Sequence, residues 1–465
     1  MYKSKQILIS KRKEPELYTY LEDLGFLAKS LYNASLFRIR QNFTGRRKEV
    51  LSENEEFVAE EIRQVLSRYP HLQKPKSVLT YTFLEKLLRV TENPDFFAGL
   101  PMQSAQVVVK QAVTDFNSWL AAKKDYCNNS HKYLGEPQMP RYKKGEFCSF
   151  PFTNQDCVLY AKEDCTEGVN LKFPKKKGYY LLASLPLYAK LKMVQVSRCY
   201  DSYKLGIVLE FPALEVCTGE RVAAIDFGIN NLATIVSTGD ICQVYKGGII
   251  KSRNQWFNKE RARLTSIMTK GHQVKQSVSS RRLTRLSKDR HLFIQDYFHK
   301  VSRDIVNACV RDGVGTLILG VNQGWKQEAN LGKAVNQSFT QIPLGKLKEM
   351  IRYKAEWAGI SVYEQEESYT SKADFLSSDA MAVYSKKQMS DPLPIFSGNR
   401  IKRGLYASGS GVVLNADVNA AANIMRKATP TSSLEIKRET LESPKVINLR
   451  ALNCKSIPVR RIVAA

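Results

Sequence analysis

The hydrophobic period of this 465-residue chain changes twice, and each change demands a different kind of packing. After a short predicted strand, Lys5 to Ser10, the spacing of Leu21, Leu24, Leu27, Leu31 and Leu36 is helical. Helical patterning resumes from Glu55 to Ala122 with Val58, Ile62, Val65 and Leu66 and then Val107 to Trp119, punctuated by Pro70, Pro75, Pro94 and Pro101. Between Pro137 and Leu214 the pattern turns to short β-rich runs, which predicts a small antiparallel barrel or sheet. From Glu220 onward strand and helix alternate: RVAAID, NLATIVST and ICQVYKG as strands, then a long helical stretch, the strand GTLILGVN, a helix over Leu344–Trp357 and the strand ISVYEQE. Three strands followed by alternating helix and strand form an α/β unit of the ribonuclease H type. Thr429 to Ala465 shows little periodicity and reads as a flexible extension.

Charge narrows the partner. The chain carries 71 Lys and Arg against 45 Asp and Glu, a net +26, on an ordinary globular composition of 43% hydrophobic and 25% charged residues. Nucleic acid is the expected polyanion, with an acidic membrane surface second. The stretch from Lys251 to Arg303 alone holds fourteen basic residues against Glu260, Asp289 and Asp296. Its later part, with Ile294, Tyr297, Phe298, Val301, Ile305 and Ala308, is amphipathic and should dock on a sheet. The tracts Arg141-Tyr142-Lys143-Lys144 and Lys175-Lys176-Lys177 suit phosphate contacts, or simply a solvated surface. No run approaches the roughly 20 apolar residues of a spanning helix, and the start MYKSKQILISKRKEPE lacks an apolar signal segment. The nine cysteines are scattered without a CxxC pair, so neither disulfides nor a zinc ribbon is expected. A cytoplasmic, nucleoid-associated protein is the expectation.

Two aspartates stand out. Asp226 ends an apolar strand ahead of a glycine turn, where a carboxylate should project into solvent on a fixed backbone. Asp417 opens a helical run rich in alanine, where its charge is favoured. Each alone is more often a cap or turn residue. Asp226-Phe227-Gly228 also spells a kinase triplet, which is set aside because no glycine-rich or HRD-type loop accompanies it.

Four segments in order, AAIDFGINNLATIVST, GTLILGVNQGWKQE, EESYTSKADF and LNADVNAAANIMRK, resemble the TnpB (OrfB) family of transposon-encoded RNA-guided nucleases and the small type V CRISPR effectors derived from it. The resemblance is strong over about 226–427 and extends to LPMQSAQVVVKQAVTDFNSWLAAKKDY near 100–126. It implies an α+β multidomain protein. A β-rich wedge domain would span 1–15 and 131–215, with a helical recognition lobe inserted at 16–130. A RuvC-like nuclease domain would span 216–428, with a nucleic-acid-binding insert at about 372–414 and an extension over 429–465. It also implies guide RNA and double-stranded target DNA as partners, one monomer per guide being favoured. Three carboxylates would hold two Mg²⁺ ions, hard cations that prefer oxygen ligands. Asp226 matches the first and Asp417 the last.

Two departures matter. The family's usual second carboxylate, a glutamate after Leu319, is Gly320 here. Some TnpB relatives and the Fanzor proteins relocate it to just before the TSK segment, which favours Glu367, with Glu366 as the alternative. The family's usual CxxC…CxxC ribbon is also missing, since 372–416 holds no cysteine, so no zinc is expected. Lys386, Lys387, Arg400, Lys402 and Arg403 remain there for nucleic acid, and Trp325 in Gly324-Trp325-Lys326-Gln327 for the same role or for the core. The implied activity is RNA-guided cleavage of DNA beside a short flanking motif. The alternatives are a nuclease-dead RNA-guided binder, a ribonuclease H type transposase and a generic RNA-binding protein.

Overall fold

The computed structural model describes residues 2–75, 78–161, 168–174, 179–183, 189–212, 219–270, 279–321, 341–381, 395–402, 404–429 and 436–448. The tract Lys175–Lys177, the Trp325 motif and Lys386, Lys387 and Arg403 lie outside these residues, as does the chain beyond 448. The chain divides into two units, Met1–Pro212 and Ala213–Ala465.

In the first unit, β1 (Tyr2–Ser10) is longer than the predicted strand and pairs antiparallel with a strand from the far end of the unit. Five helices follow it: α1 (Pro15–Gly45), α2 (Glu53–Arg68), α3 (Tyr81–Val90), α4 (Pro94–Phe97) and α5 (Met102–Asn129). Leu17, Leu21, Leu24, Ala28 and Leu31 form the buried stripe of α1. A capping box of Ser52 and Glu55 starts α2, satisfying backbone donors that the helix cannot. Buried Arg38 of α1 pairs with Glu61 of α2 at 2.6 Å.

Six strands then follow: β2 (Phe150–Thr153), β3 (Val158–Ala161), β4 (Gly168–Lys172), β5 (Tyr179–Ala183), β6 (Lys190–Cys199) and β7 (Ser202–Glu210). Their pairings, among the described residues, run in two open antiparallel ladders, β1-β7-β6-β2 and β3-β4-β5, rather than a closed barrel. Tyr203, Leu205, Ile207 and Leu209 bury one face of β7, the period of two expected of a half-buried strand.

The second unit is built on a six-stranded sheet. β8 (Arg221–Asp226), β9 (Asn231–Ser237) and β10 (Cys242–Lys246) form an antiparallel meander. The basic stretch after it is two helices rather than one, α6 (Gly248–Thr269) and α7 (Arg281–Arg311). All six apolar residues named above on α7 enter the core. β11 (Val314–Val321) then runs parallel to β8. After α8 (Leu344–Trp357), β12 (Ser361–Glu366) runs parallel to β11.

Three short strands, β13 (Asn399–Lys402), β14 (Leu405–Ala407) and β15 (Val413–Asn415), form a separate sheet and lead into α9 (Ala416–Ala428). Ile225 and Leu319 face the α7–α8 layer, while Ala224 and Ile318 face Val418, Ala421 and Ile424 of α9. Both faces of the sheet are therefore covered, which explains why its central strands read as unbroken apolar runs.

Part of the stretch expected to be a flexible extension is ordered. Residues 436–448 carry α10 (Arg438–Glu442) and β16 (Lys445–Ile447), which pairs parallel with β10. Buried Leu441 and the half-buried Ile447 anchor this segment. The full sheet order is β12-β11-β8-β9-β10-β16.

The segment after β12 is bound to the β13–β15 region by two aspartates. Fully buried Asp374 accepts hydrogen bonds from the Ser377 and Ser408 hydroxyls, each at 2.7 Å, and from the Gly409 and Leu376 amides. Asp379 accepts from the Ser397 hydroxyl at 2.6 Å, the Ser397 amide and the Asp374 amide. Burial alone would raise both carboxyl pKa values, but these donors outweigh it and hold both below the usual range.

Candidate active site

Parallel strands end at the same edge of a sheet, so the ends of β8, β11 and β12 converge. Leu319 pairs with Ile225, and Gly320 with Gln365, which sets Asp226, Gly320 and the Glu366-Glu367 step side by side. Asp417 reaches the same edge from the first turn of α9, where Asn415 caps the helix by accepting from the Asp417 amide at 3.0 Å.

Asp226 does not project into solvent as its sequence context implied. It keeps only partial exposure, and burial raises its pKa well above the carboxylate range, reinforced by the charges of Glu367 and Asp417. Lys348 and Arg400 oppose that shift. Glu367 is likewise pushed up to about 7, first by burial and then by Glu366, against the pull of Lys348.

Gly320 explains how Glu367 comes to be there. A side chain at 320 would drive its Cβ into Glu367 Oε1 and to 2.8 Å from Ile424 Cδ1. The Glu367 carboxyl fills the space that a residue other than glycine at 320 would take. Its Oε1 is buried and has no hydrogen-bond partner among the described residues. The neighbouring Glu366 is committed elsewhere. It pairs with buried Lys427 at 2.7 Å and accepts from the Ser368 amide and hydroxyl. Burial would raise its pKa, yet these partners hold it low.

Three basic or polar groups complete the recess. Lys348, in the first turns of α8, donates to the Gly320 carbonyl and lies 4.8 Å from the Phe227 ring centre. Burial lowers its pKa against the pull of Glu367, Glu364 and Asp226. Asn231 donates to Asp417 Oδ2 at 2.6 Å and is itself held by Lys246 at 3.0 Å. Arg400, expected to meet nucleic acid, lies 3.7 Å from Asp417 Oδ1. Lys348 and Asn231 were not evident in the sequence. Each is an ordinary polar residue in a helix or strand, and only the strand order brings it to the carboxylates.

The donor set suits a hard divalent cation in three respects: carboxylates only, one orphaned buried oxygen, and acids whose mutual repulsion a cation would relieve. Among the described residues, however, no three His, Cys, Asp or Glu side chains close into a ready metal cage. The carboxylates are neighbours, with Asp417 turned to Asn231 and Arg400.

Elsewhere, cations lie over rings at Arg40–Tyr142 and Lys143–Tyr32 in the first unit and Arg253–Trp256 in the second, 4.5 to 4.9 Å from the ring centres. No helix among the described residues is long and apolar enough to cross a membrane.

Comparison with known proteins returns the expected resemblance. The OrfB_IS605 family model, described as a probable transposase, matches residues 207–326, and a Cas12f1-like TNB domain model matches 345–424. A TnpB-like protein, ORF457, of Acidianus two-tailed virus is 27% identical over 226 residues, 47% of this chain and 44% of the relative. The CRISPR-associated endodeoxyribonuclease Cas12f1 of Sulfoacidibacillus thermotolerans is 32% identical over 127 residues, 27% of this chain and 25% of the relative. The chain thus matches less than half the length of either relative. A solved Cas12f1–sgRNA–target DNA complex overlaps 92% of this chain and all of its own chain, at 14% identity and a TM-score of 0.32. An AacC2c1–sgRNA–extended non-target DNA complex overlaps 90% of this chain and 69% of its own, at 8% identity and a TM-score of 0.45.

Proposed function

We propose that this chain, a relative of the TnpB and Cas12f1 proteins, is an RNA-guided DNA endonuclease with one RuvC-like site formed by Asp226, Glu367 and Asp417. The observation that carries the reading is the exchange at Gly320: the position that lacks a carboxylate leaves the room that the Glu367 carboxylate takes up. Further support comes from the strand order, an antiparallel meander extended by two parallel strands on the β8 side. The +26 charge suits a protein wrapped around a guide RNA and its target duplex.

Asp226, Glu367 and Asp417 would hold the Mg²⁺ ions. Bound there, the ions would supply Lewis acidity for activating water and stabilising a leaving oxygen. The protein's own part is to place three carboxylates on one edge of a rigid sheet. Asn231 and Arg400 orient Asp417, while Lys348 offsets the negative charge of Asp226 and Glu367. Glu366, bound to Lys427, fixes the turn rather than joining the set. The insert at about 372–414 contacts target nucleic acid, and its described parts on either side are joined by hydrogen bonds to Asp374 and Asp379.

One observation favours a second reading, guided DNA binding without cutting: the described carboxylates do not close into a cage. A single experiment separates the two. The chain is purified with its co-purifying RNA, that RNA is sequenced, and a matched duplex with a randomised flank is offered with Mg²⁺. Cutting that falls more than about 100-fold in Asp226→Ala and in Glu367→Ala is the expected result, since even groups that merely orient metal ligands are worth about 10–100-fold. Tight guided binding with no cutting by the unaltered chain would establish the second reading.

A further inference from the structure

Asn419 and Asn423 are both fully buried in α9. A buried amide costs free energy unless its donors and acceptor are met. The two lie four residues apart, on one side of the helix, and both address the segment that follows β12. Asn423 Nδ2 donates to the Thr370 and Ala373 carbonyls at 3.0 and 2.7 Å. Asn419 Nδ2 donates to Ala373 O at 2.8 Å, and its Oδ1 accepts from the Phe375 amide at 3.0 Å. Arg426 Nη2 donates to Asn423 Oδ1 at 2.9 Å.

That segment begins at Glu367. The Glu367 carbonyl accepts from the Thr370 amide at 3.2 Å and from the Thr370 hydroxyl at 2.9 Å. One short path therefore joins two carboxylates carried by different elements: from Asp417 along α9 to Asn423, across to Thr370, and back to Glu367. The helix does not need these amides to dock. Val418, Ala421, Ala422, Ile424 and Met425 already pack it against the sheet.

We infer that Asn419 and Asn423 are positioning residues, which set the separation of Glu367 from Asp417 and so the affinity of the carboxylate set for a divalent cation. This inference rests on the carboxylate site proposed above. The test follows Mn²⁺ binding to the full chain, as purified, by electron paramagnetic resonance, scoring the binding that Asp226→Ala removes.

Asn423→Asp keeps the side chain's shape and loses both donations. It should raise the Mn²⁺ concentration for half-saturation about tenfold. In a Glu367→Gln background the same substitution should shift it by less than about twofold, because the two residues act as one unit. Equal shifts in both backgrounds would make Asn423 a general stabiliser and overturn the inference, and so would no shift in either. If Asn423→Asp does not fold, Asn419→Asp serves the same comparison, since it keeps the acceptor for Phe375 and loses one donor. Mn²⁺ binding that Asp226→Ala leaves unchanged would overturn the carboxylate site itself. Binding that Asp226→Ala abolishes and Asn423→Asp leaves intact would overturn this inference alone.

Discussion

Glu367 and Asp374 stand seven residues apart on one segment, and their surroundings are opposite. Asp374 is fully buried, its carboxylate met by two hydroxyls and two amides, and its pKa is held low. Glu367 has one buried oxygen with no donor among the described residues, and its pKa is pushed up to about 7. Both are acids drawn into the protein, yet one carries its compensation with it and the other does not. A carboxylate ringed by donors is a fastening. One left short of them beside other acids is the kind of group on which the proposed cation site depends.

The contrast can be broken most severely at Asp374. Asp374→Ala leaves the buried Ser408 hydroxyl, the exposed Ser377 hydroxyl and two amides without this acceptor, so it should destabilise the second unit by about 3 kcal/mol in denaturant unfolding. A loss under about 1 kcal/mol would mean that water replaces the carboxylate without difficulty.

The second effect is a dependence on pH. The folded-state pKa of Glu367 lies above its ordinary 4.5, at about 7. Its protonated form is therefore favoured in the native state, and the stability this contributes is present below pH 4.5 and lost as pH rises through about 7. In chelator at pH 8, Glu367→Gln should raise stability by roughly 2 kcal/mol, and the gain should vanish at pH 4. Saturating Mg²⁺ should reverse the ranking. A Glu367→Gln chain no more stable than the parent at pH 8 would place that carboxylate in ordinary solvent.

The smallest effect sharpens the comparison at the seat of Glu367. Gly320→Ala puts a methyl group against the flexible end of that side chain and 2.8 Å from buried Ile424 Cδ1, so both must shift and folding should lose only about 1 kcal/mol. Cutting should nonetheless slow about tenfold, worth about 1.4 kcal/mol in the barrier, because the carboxylate is displaced. Unchanged cutting would mean that its position there is immaterial.

Much of this frame is legible before any coordinates. The apolar runs ending at Asp226 and Leu319 and the helical spacing of Leu344–Trp357 correspond to β8, β11 and α8, because burial on both sheet faces writes itself into consecutive residues. What escapes is whatever depends on register or on distant partners. Neighbouring residues at a strand end face opposite ways, so only the pairing of Val321 with Glu366 decides which of Glu366 and Glu367 turns to Asp226. The donors to Asp374 come from 376, 377, 408 and 409, with no local pattern to connect them. β16 is three residues long, and its strand character is supplied by the open edge of β10.

That last strand also sets an order of events during synthesis. The sheet that carries the carboxylates is complete only when Lys445–Ile447 meets Gln243–Tyr245, some two hundred residues behind it. Until residues 445–447 have left the ribosome, the β10 edge is open to pairing with other strands. A nascent chain that stalls before those residues therefore exposes an adhesive edge and carries a sheet one strand short.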